Sequence, residues 1–82
     1  MDLKKYINIE FQNGPVLENG INGCQIEDVI DVLLERLMGF QETEYVCREN
    51  SLAITKLQEA KFWLYERTRN RIERGVEGKN IP

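Results

Sequence analysis

From somewhere between Glu44 and Glu49 to about Arg74, the chain keeps a single helical period, and no other segment is long enough to cover it. Ala53, Leu57, Ala60 and Leu64 recur every three or four residues as a heptad-like seam. Gly75 makes a natural C-cap, with Gly78 just beyond it. At ~1.5 Å per residue this helix spans roughly 40 Å. The stretch from Gln25 to Gln41 is also helical in period: Ile26, Val29, Ile30, Leu33, Leu37 and Phe40 form one face, with Glu27, Asp28, Asp31 and Glu35 mostly on the other. Acidic residues in its first turn suit the helix dipole, and Gly39 weakens its last turn. Its length is roughly 25 Å.

Joined by a short connection, the two segments predict an antiparallel helical hairpin of unequal arms, an all-α fold. Folded back from the turn, the first helix runs out near Trp63, so the last third of the second helix needs another partner. Residues 1–24 offer one. Ile7, Ile9 and Phe11 alternate with polar residues, which suits a short strand or an extended arm. The turn-forming stretches Asn13-Gly14-Pro15 and Asn19-Gly20-Ile21-Asn22-Gly23 then exclude a long helix. The other candidate is a second subunit. The expected organisation is an N-terminal arm over 1–24, a helical hairpin domain over 25–75 and a loose tail over 76–82, assembling as a homo-oligomer.

Composition narrows the function classes. A chain of 82 residues makes one domain, and at this size a single core rarely supplies more than ~3–5 kcal/mol. The two cysteines, Cys24 and Cys47, form no CxxC pair and read as small, buried or half-buried apolar residues. With no histidine, the common zinc sets and the Ser-His-Asp and Cys-His arrangements are unavailable. There is no phosphate-cradling glycine loop, and Glu42 and Glu44 are two exposed acids in a connection. No enzyme activity and no cofactor are expected. The start of the chain has no signal-peptide run, and no stretch approaches the ~20 apolar residues of a membrane span, so a cytoplasmic setting without membrane contact is expected.

Charge is uneven. Residues 1–60 carry five basic and eleven acidic side chains, whereas residues 61–82 carry six basic and three acidic. This is not the broad positive footprint of a nucleic-acid binder, and it suits a small anionic ligand held at one place. On a helix, Arg67, Arg71 and Arg74 fall within about 60° of one another and continue the Ala53–Leu64 line, while Arg69 points away. Cations at a helix C-terminus relieve its dipole, yet guanidinium groups on a contact seam also suit phosphate. Phe40 closes the first helix, as a core plug or as a stacking platform. Asn50 is a poor helix-interior residue whose amide can pair with a base edge or cap a neighbouring chain. Tyr45, Trp63 and Tyr65 read as packing or interface residues.

Phe40-Gln41, the string Val46-Cys47-Arg48-Glu49-Asn50-Ser51-Leu52-Ala53-Ile54-Thr55-Lys56-Leu57-Gln58-Glu59-Ala60, then Trp63-Leu64, Arg67-Thr68, Asn70-Arg71 and Arg74-Gly75-Val76-Glu77-Gly78 closely resemble the helical hairpin of phage cyclic-nucleotide sponges. These are the anti-CBASS and Thoeris anti-defence sponges, and the likeness runs from about Asn13 to Gly78. The resemblance implies a homo-oligomer, commonly a hexamer, acting in an infected bacterial host. It implies binding without cleavage of a cyclic oligonucleotide or a cyclic ADP-ribose-type ligand between subunits. It places Phe40 where family members stack a base, Asn50 at a polar contact, and Arg67 and Arg71 at phosphate-binding arginines. Thr68 and Arg74 flank them.

Geometry adds that Asn50 and Arg67, seventeen residues apart on one helix, lie roughly 25 Å from each other. A compact ligand touching both must take them from different chains. The rival reading is a small phage regulator that binds DNA or RNA through the Arg67–Arg74 helix, which the acidic body disfavours. A structural oligomer whose arginines only cap helices is the third.

Overall fold

The computed structural model describes residues 2–82. Four helices follow in order: α1 (Leu3–Tyr6), α2 (Val16–Asn19), α3 (Ile26–Gln41) and α4 (Arg48–Glu73). The first two are single turns, and α3 packs against α4 as an antiparallel hairpin. The expected all-α hairpin is present, and both long helices start and stop within a few residues of where their periods change.

Each boundary has a local cause. At the start of α3 the Asp28 carboxylate accepts the Gln25 backbone N–H at 2.8 Å, satisfying a donor outside the helix. The connection of residues 42–47 is laced by Gln41. Its Nε2 donates to Cys47 O at 2.9 Å and Ser51 Oγ at 2.6 Å, and its Oε1 accepts from Cys47 N at 3.1 Å. At the end of α4, Val76 N–H bonds to Arg71 O and Gly75 N–H to Ile72 O, with Gly75 at φ +71°. That paired pattern needs a left-handed residue after the cap, which glycine adopts without Cβ strain.

The core is small. Only Ile30 and Leu34 are buried among the described residues. Along one side of α4, Asn50, Ile54, Leu57, Lys61, Leu64, Thr68 and Arg71 are all half-buried at alternating spacings of four and three. This corrects the expected seam. Leu57 and Leu64 belong to it, but Ala53 and Ala60 are exposed, rotated onto the flank with Leu52 and Trp63. The true stripe carries polar residues that a reading by hydropathy passes over. Lys61 holds its place there through an ion pair with Asp31 that ties the two helices together.

No strand forms among the described residues; Ile7 to Glu10 run extended and end in an isolated parallel bridge between Phe11 and Cys24. The loop that follows closes on side chains. Gln12 donates to Gly20 O at 2.8 Å and accepts from Asn22 N, while Asn22 exchanges two bonds with Asn13. Gly23 is required by close approach, because a Cβ there would lie 2.5 Å from the Phe11 carbonyl atoms. Cys24 is half-buried, as expected, but Cys47 is exposed at the N-cap of α4.

Candidate functional site

The residues singled out by sequence fall at opposite ends of α4. Near the turn, Phe40 is half-buried at the end of α3, and Asn50 is half-buried in the first turn of α4. The Arg36 guanidinium lies over the Phe40 ring, 4.7 Å from its centroid. The Thr43 hydroxyl donates to Phe40 O at 2.7 Å and accepts from Tyr45 N at 3.1 Å, fixing the segment that carries an exposed Tyr45. Val32, Glu35, Arg36, Gly39, Phe40, Thr43 and Tyr45 line a concavity of about 640 Å³. Sequence reasoning missed Arg36 as a member. The signal was its position one turn before Phe40, where helical side chains meet.

At the far end, the arginines are differently employed. Arg69 is held by Glu66 and Glu73, at 2.8 Å to each. The Arg69 hydrogen bond draws the Glu66 carboxyl below the usual glutamate value. Arg71 makes four hydrogen bonds and one ion pair with residues 76–82. Its Nη2 donates to Val76 O and Lys79 O at 3.0 Å each, its Nη1 to Ile81 O at 2.7 Å and Pro82 O at 3.4 Å, and its Nε faces Glu77 at 3.3 Å. Both terminal nitrogens are thus occupied, and they offer little to a ligand while residues 76–82 stay in place. Arg74 donates to Pro82 O at 2.9 Å. Arg67 makes no ion pair or side-chain hydrogen bond among the described residues and borders the same shallow pocket as Asn70, Arg71 and Arg74. The three arginines do not share one environment: Arg71 is half-buried on the packed stripe, whereas Arg67 and Arg74 are exposed beside it. Thr68 is half-buried between α4 and its surroundings.

The tail, which has no periodicity, is thus gathered around Arg71. The arm meets it there: Leu17 N–H donates to Gly78 O at 3.1 Å, and a Cβ on Gly78 would come within 2.8 Å of the Leu17 side chain. Arm and tail together supply the overhanging end of α4 with neighbours from its own chain.

The model of the Acb2/Tad1 hairpin domain matches residues 3–69. The chain belongs to this family. A relative, "Thoeris anti-defense 1" from Bacillus phage SBSphiJ7, is 53% identical over 74 residues, which are 90% of this chain and 52% of the relative. The chain therefore spans about half the length of the curated relative it matches. The Acb2/Tad1 family is a non-catalytic sponge family. Among the described residues no group of three or more Cys, Asp or Glu is placed to hold a metal ion, and no helix is long and apolar enough to cross a membrane.

Proposed function

We propose that this chain is an anti-defence sponge that sequesters a cyclic nucleotide immune signal as a homo-oligomer, a hexamer, without breaking a bond in it. The observation that carries the reading is family membership over residues 3–69, with 53% identity to a Thoeris anti-defence protein. The ligand class is a cyclic di- or trinucleotide or a cyclic ADP-ribose isomer, taken up in the cytoplasm of an infected bacterium. Phe40 stacks a base and Asn50 pairs with a polar edge, while Arg67, Thr68 and Arg74 present donors to phosphate at the other end of α4. Arg71 joins them when residues 76–82 release its donors.

Shape supports assembly. The chain measures 47 × 32 × 18 Å with a radius of gyration of 16.0 Å, against about 12 Å for a compact domain of this length. Its accessible surface is 6820 Å², where a folded monomer of this mass exposes about 5,100 Å². The flank of α4 bearing Leu52, Ala53, Ala60 and Trp63 is the natural contact, and it lies along the axis that separates Phe40 from Arg67. A neighbouring copy would bring the two ends together.

The nucleic-acid reading weakens on the same geometry, because Arg69 and Arg71 are engaged within the chain. The test is retention. Mixed with a panel of cyclic di- and trinucleotides and cyclic ADP-ribose isomers, the protein should deplete at least one from the filtrate and return it chemically intact after heat denaturation. Recovery of a linearised product, or no depletion at all, overturns the proposal.

A further inference from the structure

Arg69 and Arg71 are engaged within the chain and Arg67 lies at the far end of α4, so a Phe40 that holds a phosphorylated base within its own chain needs a cation nearer by. The groove between α3 and α4, about 860 Å³, does not supply one. Asp31, Glu35 and Glu42 line it, and its lysine, Lys61, is already paired with Asp31. An anion is repelled there. The concavity around Phe40 differs in kind.

We propose that Arg36 is a ligand-binding residue of the Phe40 site, donating to the phosphate of the base that Phe40 stacks, with Tyr45 forming the opposite wall. The inference rests on the proposed nucleotide-binding role and deepens it. The Arg36 guanidinium lies over the Phe40 ring, 4.7 Å from its centroid, and makes no ion pair or side-chain hydrogen bond among the described residues, so its N–H donors remain available. A guanidinium already held over a ring loses little further freedom when it meets a phosphate. Gly39 leaves the approach open: a Cβ there would meet nothing within 4 Å. Thr43 bonds both Phe40 and Tyr45, so the two rings stand on a fixed segment before any ligand arrives. Glu35, the one carboxylate in the lining, suits a base amino group and keeps phosphate to the arginine side. A volume of about 640 Å³ falls in the range of small-molecule sites, about 300–1,000 Å³. The turn end of a single chain then holds ring and cation together.

The experiment is calorimetric titration of the full chain with cyclic di-AMP, a cyclic triadenylate and a cyclic ADP-ribose isomer, continued with whichever binds most tightly. Four variants are compared: Phe40→Ala, Arg36→Ala, Arg36→Lys and Arg69→Ala, the last removing the same charge from a place held by Glu66 and Glu73. Arg36→Ala should weaken binding about tenfold to a hundredfold and flatten its salt dependence. Arg36→Lys should weaken it less and keep the salt dependence, and Arg69→Ala should leave it unchanged. Loss in Phe40→Ala with Arg36→Ala within about twofold of wild type overturns the Arg36 inference and leaves the sponge reading standing. Normal binding by Phe40→Ala, or no binding of any probe by the wild type, overturns the underlying reading.

Discussion

The two ends of α4 carry similar residue types and use them in opposite ways. At the turn, Gln41 and Thr43 satisfy the backbone with short side chains, and the larger groups, Phe40, Arg36 and Tyr45, are left facing a concavity. At the far end the backbone beyond Gly75 has no helix to join, and its carbonyls turn to the guanidinium of Arg71. The same side chain is therefore a ligand donor in one setting and an internal cap in the other. Residue type and spacing do not distinguish them; a donor inventory does. Arg36 has donors to offer, whereas both terminal nitrogens of Arg71 are taken by the tail.

The contrast is broken most severely at the core. Leu34 is 7% exposed and one of the two buried residues among those described, so Leu34→Ala should cost ~2–5 kcal/mol and unfold much of the population in a denaturant titration followed by circular dichroism. A loss below ~1 kcal/mol would mean that neighbouring copies, rather than the α3–α4 contact, hold the turn end in shape.

The next effect belongs to the far end. Arg71→Ala removes charged hydrogen bonds to three or more tail carbonyls, so amide exchange over residues 76–82 and around Leu17 should accelerate by about tenfold or more while exchange near Ile30 stays slow. Uniform acceleration along the chain would show that the two ends are one cooperative unit and that the distinction drawn between them fails.

The smallest effect is a pH dependence. The Asp31 hydrogen bond, helped by Tyr65, raises the Lys61 pKa above its ordinary value of 10.5. The stabilisation is thus fully present below pH 10.5 and lost as pH rises through the raised value. The melting-temperature gap between wild type and Lys61→Met should stay constant from neutral pH into the alkaline range and close only beyond it. The Glu66 carboxyl, held low by Arg69, behaves with the opposite sense: its contribution is present above pH 4.5 and fades as pH falls through the lowered value. A Lys61→Met gap that closes near neutrality would remove the inter-helix ion pair as its cause.

Much of the hairpin was legible because apolar periodicity and glycine punctuation act locally. The α3 and α4 spans and the role of Gly75 follow from them. The orientation of α4 was not legible, because its packed stripe runs through Asn50, Lys61 and Thr68, and Ala53 and Ala60 imitate a seam on the flank. The arm alternated as a strand does but has no ladder to join, so it forms a side-chain-laced loop. Of the candidate site, Phe40, Asn50 and the arginines were named from the family resemblance, and the structure sets Phe40 and Asn50 at the turn end and Arg67, Arg71 and Arg74 at the far end. The closure of Arg71 was hidden, since seven aperiodic residues give no signal that their carbonyls converge on one side chain.

The near absence of a private core has a consequence in mass action. A hairpin that buries only Ile30 and Leu34 among the described residues holds little stability of its own, and in the proposed homo-oligomer subunits covering the α4 flank would bind the folded chain and not the unfolded one. Dilution then becomes a denaturant: each tenfold fall in chain concentration removes about 1.4 kcal/mol per association step. A ligand bridging two copies acts in the reverse direction, so a cell accumulating the alarm molecule would tighten the assembly that absorbs it.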